Sequence, residues 1–195
     1  MPGHHTWKDL APDDRKEIRE ALEEMQGRRC AYCEGDLDNL GQHIEHFRQR
    51  ARFPGDMFQW RNLFWSCECL DSCGKHKDSC SPYLASDLID PSQEDPERFF
   101  LFISDGSISV RANISAQEQK RAVETLRIFN LNPAHGRLRR MRQMAVSGYL
   151  DSAKEISELA QFFSINEVQK FFADEVAEAS KYPFSTAIKH ALTPQ

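Results

Sequence analysis

The stretch from Cys30 to Lys77 decides the fold. It runs Cys30-Ala31-Tyr32-Cys33, His43-Ile44-Glu45-His46, Asn62-Leu63, then Cys67, Cys69 and Cys73, with Gly74-Lys75-His76-Lys77 behind. Two cysteine groups bracket a Glu-His pair and an asparagine. Thiolates at Cys-x2-Cys spacing present two zinc ligands from one tight turn. The order therefore points to two metal roles: a structural zinc knuckle that clamps a small unit, and a catalytic cation held inside it. Cys30 and Cys33 supply one ligand pair. Cys73 and one of Cys67 or Cys69 supply the other, which leaves Cys80 as a plain thiol.

Glu45 and His46 suit metal-assisted phosphodiester hydrolysis. A neutral imidazole takes a proton from water, and a cation offsets charge on the phosphate and the leaving oxygen. Adjacent residues on a strand point to opposite faces. For both to serve one site, one of them must sit at a bulge or at the strand's end.

Outward from this stretch, 195 residues allow one domain, or one domain with a helical appendage. We divide the chain into an N-terminal helix (1–27), the cysteine-bracketed unit (28–80), a linker, hairpin and helices (81–150), and C-terminal helices (151–195). Pro12, Asp13 and Asp14 suit the first turn of a helix to Gln26, with Gly27 as its stop. Residues 41–52 read as extended, and Trp60–Ser66 as a returning strand. Ser104-Asp105-Gly106 reads as a hairpin turn, and Ser115-Ala116-Gln117-Glu118 as a capping box. Helices follow at about 134–149, 151–163 and 166–180. The last two carry Phe162, Phe163, Phe171 and Phe172. Neighbouring residues lie about 100° apart on a helix, so one narrow stripe does not bury both pairs, and part of that surface is expected to meet a partner.

The net charge of −5 is not that of a free-standing DNA binder. Its distribution says more. Residues 46–77 carry six basic and three acidic side chains, residues 111–143 eight and two, and residues 78–110 one and seven. Basic islands in an acidic chain fit local contact with a polyanion, aided by a partner. No apolar run is long enough for a membrane span. Met1-Pro2-Gly3-His4-His5 lacks an apolar signal core, so a cytoplasmic address is expected. That favours metal over disulfides for the paired cysteines.

The motif order resembles the HNH endonucleases with a ββα-metal finger. The segments His43–Arg48, Trp60–Cys67, Leu88-Ile89-Asp90-Pro91, Asp105-Gly106 and Glu124–Asn132 are similar to the PtuB-like members from Septu and retron-type antiphage defence systems. The resemblance covers roughly residues 25–150. It implies an α+β, mainly helical protein with a small zinc-clamped ββα finger embedded among helices. It implies His46 as general base, Glu45 as ligand of a divalent cation (Mg²⁺ or Mn²⁺), and Asn62 as the residue holding the loop that carries the base. It selects Cys67 as the fourth zinc ligand, beside Cys30, Cys33 and Cys73. It further implies DNA as substrate and a PtuA-like ATPase as partner. One departure stands out: family members place a third catalytic residue directly after the final cysteine, and Gly74 stands there. His76 is the expected replacement, with Asp71 or Asp78 as alternatives. The competing reading is a non-catalytic zinc-ribbon module that binds nucleic acid or protein.

Overall fold

A computed structural model describes residues 6–80 and 83–193. The N-terminal pentapeptide, read above for a leader, lies outside the described residues. Helix α1 spans Pro12–Gln26, with Pro12 at its first position. Asp13 and Asp14 sit in its first turn, where carboxylates meet the positive end of the helix dipole. Gly27 ends it at φ 57, and its N–H donates to the Glu23 carbonyl at 2.9 Å. Leu22 on its inner face is fully buried.

The cysteine-bracketed unit follows. After the short helix α2 (Leu37–Leu40), strand β1 (Gln42–His46) pairs antiparallel with β2 (Leu63–Cys67), with Gln42 opposite Cys67 and His46 opposite Leu63. Helix α3 (Cys73–Ser79) completes a β-β-α order. Strand β1 is shorter than the extended 41–52 segment expected. The Phe47 N–H still reaches the Asn62 carbonyl at 3.0 Å, but at Arg48 the backbone bonds the Asn62 side chain instead. The returning strand likewise starts at Leu63, because Trp60–Asn62 forms a tight 3-10 turn.

Strands β3 (Phe100–Phe102) and β4 (Ile108–Val110) form the expected hairpin around Asp105-Gly106. Helix α4 (Ala116–Ile128) opens on the Ser115/Glu118 capping box. Helix α5 then runs unbroken from Arg137 to Leu159, where two helices were expected. Gly148 is an interior glycine with open space around it, and no proline interrupts the run, so nothing forces a break. Helix α6 spans Ile165–Ala179. Helix α7 (Ser185–Leu192) was not anticipated. It begins two residues after Pro183 and is too short to show a full periodic pattern.

Helix α7 packs back onto the segment that carries Cys30 and Cys33. Ile188 and Leu192 pack with Ala179, and Phe184 and Ala187 join the main core. The Glu34 carbonyl accepts from the Phe184 N–H, and the Glu34 carboxylate accepts from the Thr186 N–H at 2.9 Å. The 150/151 division read from sequence thus falls inside α5, and the segment beyond it shares the core. That core centres on Phe99 and Phe129, both fully buried. A buried ring of this kind stabilises by roughly 1.5–3 kcal/mol over an exposed one. Phe129 also braces the β-β-α unit. Its ring stacks on Tyr32 at 4.2 Å, and its carbonyl accepts from the Cys73 N–H at 2.8 Å. Among the described residues, no helix is long and apolar enough to cross a membrane.

Candidate active site

The four-cysteine cluster is built from two corners of the β-β-α unit. Cys30 and Cys33 lie on a tight turn closed by the Glu34 N–H on the Cys30 carbonyl and the Cys30 N–H on the Gly35 carbonyl. The Gly35 N–H points at Cys33 Sγ, 3.4 Å away. A Cβ on Gly35 would stand 2.5 Å from Leu40 Cδ1 and 3.2 Å from Cys33 Sγ, so a side chain there would have to displace Leu40 and press on the Cys33 sulfur. Cys67 ends β2 and Cys73 begins α3. All four cysteines are buried, and their sulfur atoms lie within 4.8 Å of one another. A zinc–sulfur bond of about 2.3 Å puts tetrahedral sulfurs roughly 3.8 Å apart, so the set fits structural zinc. Hydrogen bonds from Cys30, Cys33 and Cys73 hold the Cys67 thiol far below its ordinary pKa. Cys69 is not part of the cluster. Burial pushes its thiol up to about 11, and it faces Arg137.

Beside this centre, His43, Glu45, His46, Gln49, Arg50, Lys75 and Asp78 line one cleft. His46 is the last residue of β1, so the strand-end condition set by its adjacency to Glu45 is met. The ring is 4% exposed. Trp7 meets it edge-on at 4.6 Å. Burial, reinforced by Arg50, lowers its pKa to about 4, which leaves the ring neutral at pH 7. His46 Nε2 lies 3.0 Å from the Met57 carbonyl. A carbonyl only accepts, so Nε2 carries the proton and Nδ1 holds the free lone pair.

Asn62 fixes the 47–62 loop from inside. Its Oδ1 accepts from the Arg48 N–H at 2.7 Å, and its Nδ2 donates to the Arg48 and Asp56 carbonyls at 3.2 and 3.0 Å. Met57, which orients His46, directly follows Asp56.

Glu45 is buried, and its two oxygens have different neighbours. Oε1 forms an ion pair with Lys77 Nζ at 2.6 Å. Oε2 lies 3.3 Å from His43 Nε2. Lys77 is fully buried and also reaches Asp78 at 2.7 Å and the His46 carbonyl at 3.1 Å. Burial works against its charge, but Glu45 and Asp78 outweigh that, and its pKa is raised. Gly74 passes directly beneath the carboxylate.

The structure does not bring His76 to this cleft. Its Nδ1 lies 2.9 Å from the Ile128 carbonyl and 3.5 Å from Cys80 Sγ, on the side of α3 that packs on α4. On a helix begun at Cys73, position 76 turns away from position 74, which faces Glu45. Sequence reasoning quoted two further residues, His43 and Lys77, but gave neither a role in the site. Lys77 is the buried counter-ion of Glu45. His43 shares the Glu45 face of β1, which their separation by two residues on a strand would have signalled.

Among the described residues, only the four cysteines bring three or more metal-ligating atoms within 4.8 Å of one another. The cleft offers a smaller donor set, Glu45 Oε2 with His43 Nε2. Glu45 Oε2 is the kind of ligand a hard divalent cation takes beside waters and phosphate, and the imidazole nitrogen extends the choice to transition cations.

The fold and site define an α+β protein, mainly helical, with small sheets and a four-cysteine cluster suited to metal beside a Glu-His cleft. No protein-family model matches the chain. Among curated proteins it is similar to "Septu protein PtuB" of Bacillus thuringiensis, 26% identical over 155 residues, 76% of this chain and 54% of the relative. It is also similar to "Retron Vc95 putative HNH endonuclease" of Vibrio cholerae serotype O1 biovar El Tor, 26% identical over 138 residues, 67% of this chain and 64% of the relative. The chain thus spans about half the length of the first and under two thirds of the second. Both matches support the resemblance to PtuB-like HNH nucleases.

Proposed function

We propose that this protein is a metal-dependent HNH DNA endonuclease, the nuclease component of an antiphage defence complex. One observation carries the reading: a neutral imidazole with a fixed tautomer, His46, adjoins a buried carboxylate, Glu45, on a β-β-α unit with a four-cysteine cluster.

Glu45 would hold a divalent cation, which when bound would offset charge on the scissile phosphate and on the leaving 3′-oxygen. His46 Nδ1 accepts the proton of the attacking water, while the Met57 carbonyl stabilises the imidazolium that forms. Asn62 keeps the His46 loop in register and touches no substrate. Arg50 and Lys75, both lining the cleft, face the phosphate backbone. Lys77 holds Glu45 in place through Oε1. A zinc-ribbon module without catalysis would explain Gly74 as a lost catalytic residue. The seat of Glu45 on Gly74 explains it without that loss.

The partner of this reading is a PtuA-like ATPase, as the resemblance implies. Phe162 is 75% exposed and Ile165 69% exposed, where α5 gives way to α6. Phe163 and Phe171 meet edge-on beside them. We place the partner contact on this patch, away from the basic cleft. The purified protein should nick plasmid DNA with Mg²⁺ or Mn²⁺, alone or with the ATPase. Phe162→Ser with Ile165→Ser should weaken co-purification with the ATPase at an unchanged melting temperature. Normal assembly of that variant would remove the patch from the interface, and absence of cleavage under all these conditions would refute the nuclease.

A further inference from the structure

We propose that His43 is the second protein ligand of the catalytic cation, doing from strand β1 what other HNH proteins do from the residue after the last cysteine. The proposal rests on the reading of this cleft as a metal-dependent nuclease site.

Position 74 is closed to a ligand by geometry. A Cβ built on Gly74 would lie 2.6 Å from Glu45 Oε2, 2.7 Å from its Cδ and 2.9 Å from its Cγ. Any side chain there would drive the carboxylate out of its seat. The carboxylate cannot yield easily, because Oε1 is tied to Lys77 in a fully buried ion pair. Oε2 is therefore the oxygen left for a cation, and α3 covers it from one side. A second ligand must come from the other side.

His43 is there. It lies two residues before Glu45, on the same face of the strand. Its Nε2 stands 3.3 Å from Oε2, and both residues line the cleft. A charge-assisted hydrogen bond would bring such atoms to about 2.7–2.9 Å. Two neighbouring ligands of an octahedral cation, each bonded at about 2.1 Å, stand roughly 3 Å apart. The observed spacing lies a few tenths of an ångström beyond both, so the pair can close on a shared cation with a small movement. No donor faces His43 Nδ1, which is buried without a hydrogen-bond partner. Without a cation the carboxylate draws the ring's proton onto Nε2; a cation between the two groups would shift that proton to Nδ1 and leave the Nε2 lone pair for the metal.

The other candidates are turned away or already paired. His76 faces the Ile128 carbonyl. Asp78 meets Lys77 and Gln49. Asp71 lies outside the cleft, 3.8 Å from Arg137.

The test is Mn²⁺ binding to the zinc-loaded, full-length protein, followed by electron paramagnetic resonance. Pulsed spectra report nitrogen bonded to the manganese. Wild type should show one imidazole nitrogen coupling. His46→Ala should keep that coupling and lose DNA cleavage. His43→Ala should lose it and bind Mn²⁺ at least about tenfold more weakly. Zinc content and melting temperature monitor folding, and His43→Asn keeps more of the histidine's volume and polarity in case the alanine variant is unstable. A nitrogen coupling that persists in His43→Ala or His43→Asn would overturn the assignment, as would bound Mn²⁺ in wild type without any such coupling. If wild type binds no Mn²⁺ and Glu45→Gln cleaves DNA like wild type, the metal-dependent reading itself falls, and His43 with it.

Discussion

Gly74 lies so close under Glu45 that a β-carbon at position 74 would stand 2.6 Å from Oε2. This contact yields a prediction with an unusual sign. Gly-to-Ala inside a helix ordinarily gains up to about 1 kcal/mol. Here the added methyl overpacks a buried ion pair, which costs about 1–3 kcal/mol. Gly74→Ala should therefore lower the melting temperature and reduce DNA nicking together. A more stable, fully active Gly74→Ala would show that Glu45 does not need this seat.

Lys77 and Glu45 form a buried pair, with Lys77 wholly inaccessible. Removing one member of such a pair strands the other charge, which costs about 3–5 kcal/mol. Lys77→Met should be destabilised on that scale in denaturant unfolding. Adding Glu45→Gln should recover much of the loss, although without activity. Equal destabilisation of the single and double variants would mean that the two charges are not coupled.

The zinc assignment separates the cysteines. Cys30→Ser should lose zinc and destabilise the fold, since metal binding and folding are coupled. Cys69→Ser should retain a full equivalent of zinc, because Cys69 lies outside the four-sulfur cluster. Zinc analysis of the two purified variants decides this. A full equivalent in Cys30→Ser would refute the centre.

Acid sensitivity should arise partly at Glu97. Burial opposes its charge, but hydrogen bonds from Lys189 at 2.7 Å and from His190 at 3.1 Å win, and its pKa is lowered. These contacts tie α7 to the turn before β3. A depressed carboxylate contributes stability above its unfolded pKa of about 4.3, and loses it as pH falls through the folded value. Glu97→Gln should thus be less stable at neutral pH and show a flatter decline on acidification below about pH 5. Parallel stability curves for the two proteins would exclude Glu97.

Much of the site was legible because its logic is local. Cys30-x2-Cys33 makes a turn by spacing alone, and the Ser115/Glu118 capping box marks α4 to the residue. Glu45 next to His46 demanded a strand end, and β1 ends at His46. What escaped the sequence depends on distant packing. His76 looked available until the Ile128 carbonyl, 52 positions away, proved to be its partner. Lys77 could not be recognised as the counter-ion of Glu45 without the helix that carries it across β1. Helix α7 is held by Glu34, 152 positions before Thr186, and nothing near it in the chain announces that contact.

The account's central claim is that His46 is the general base of a nuclease, and His46→Ala tests it most directly. The variant should keep its zinc and its melting temperature close to wild type while plasmid nicking falls by about 10²–10⁴-fold. Cleavage near the wild-type rate by folded, zinc-loaded His46→Ala would contradict it.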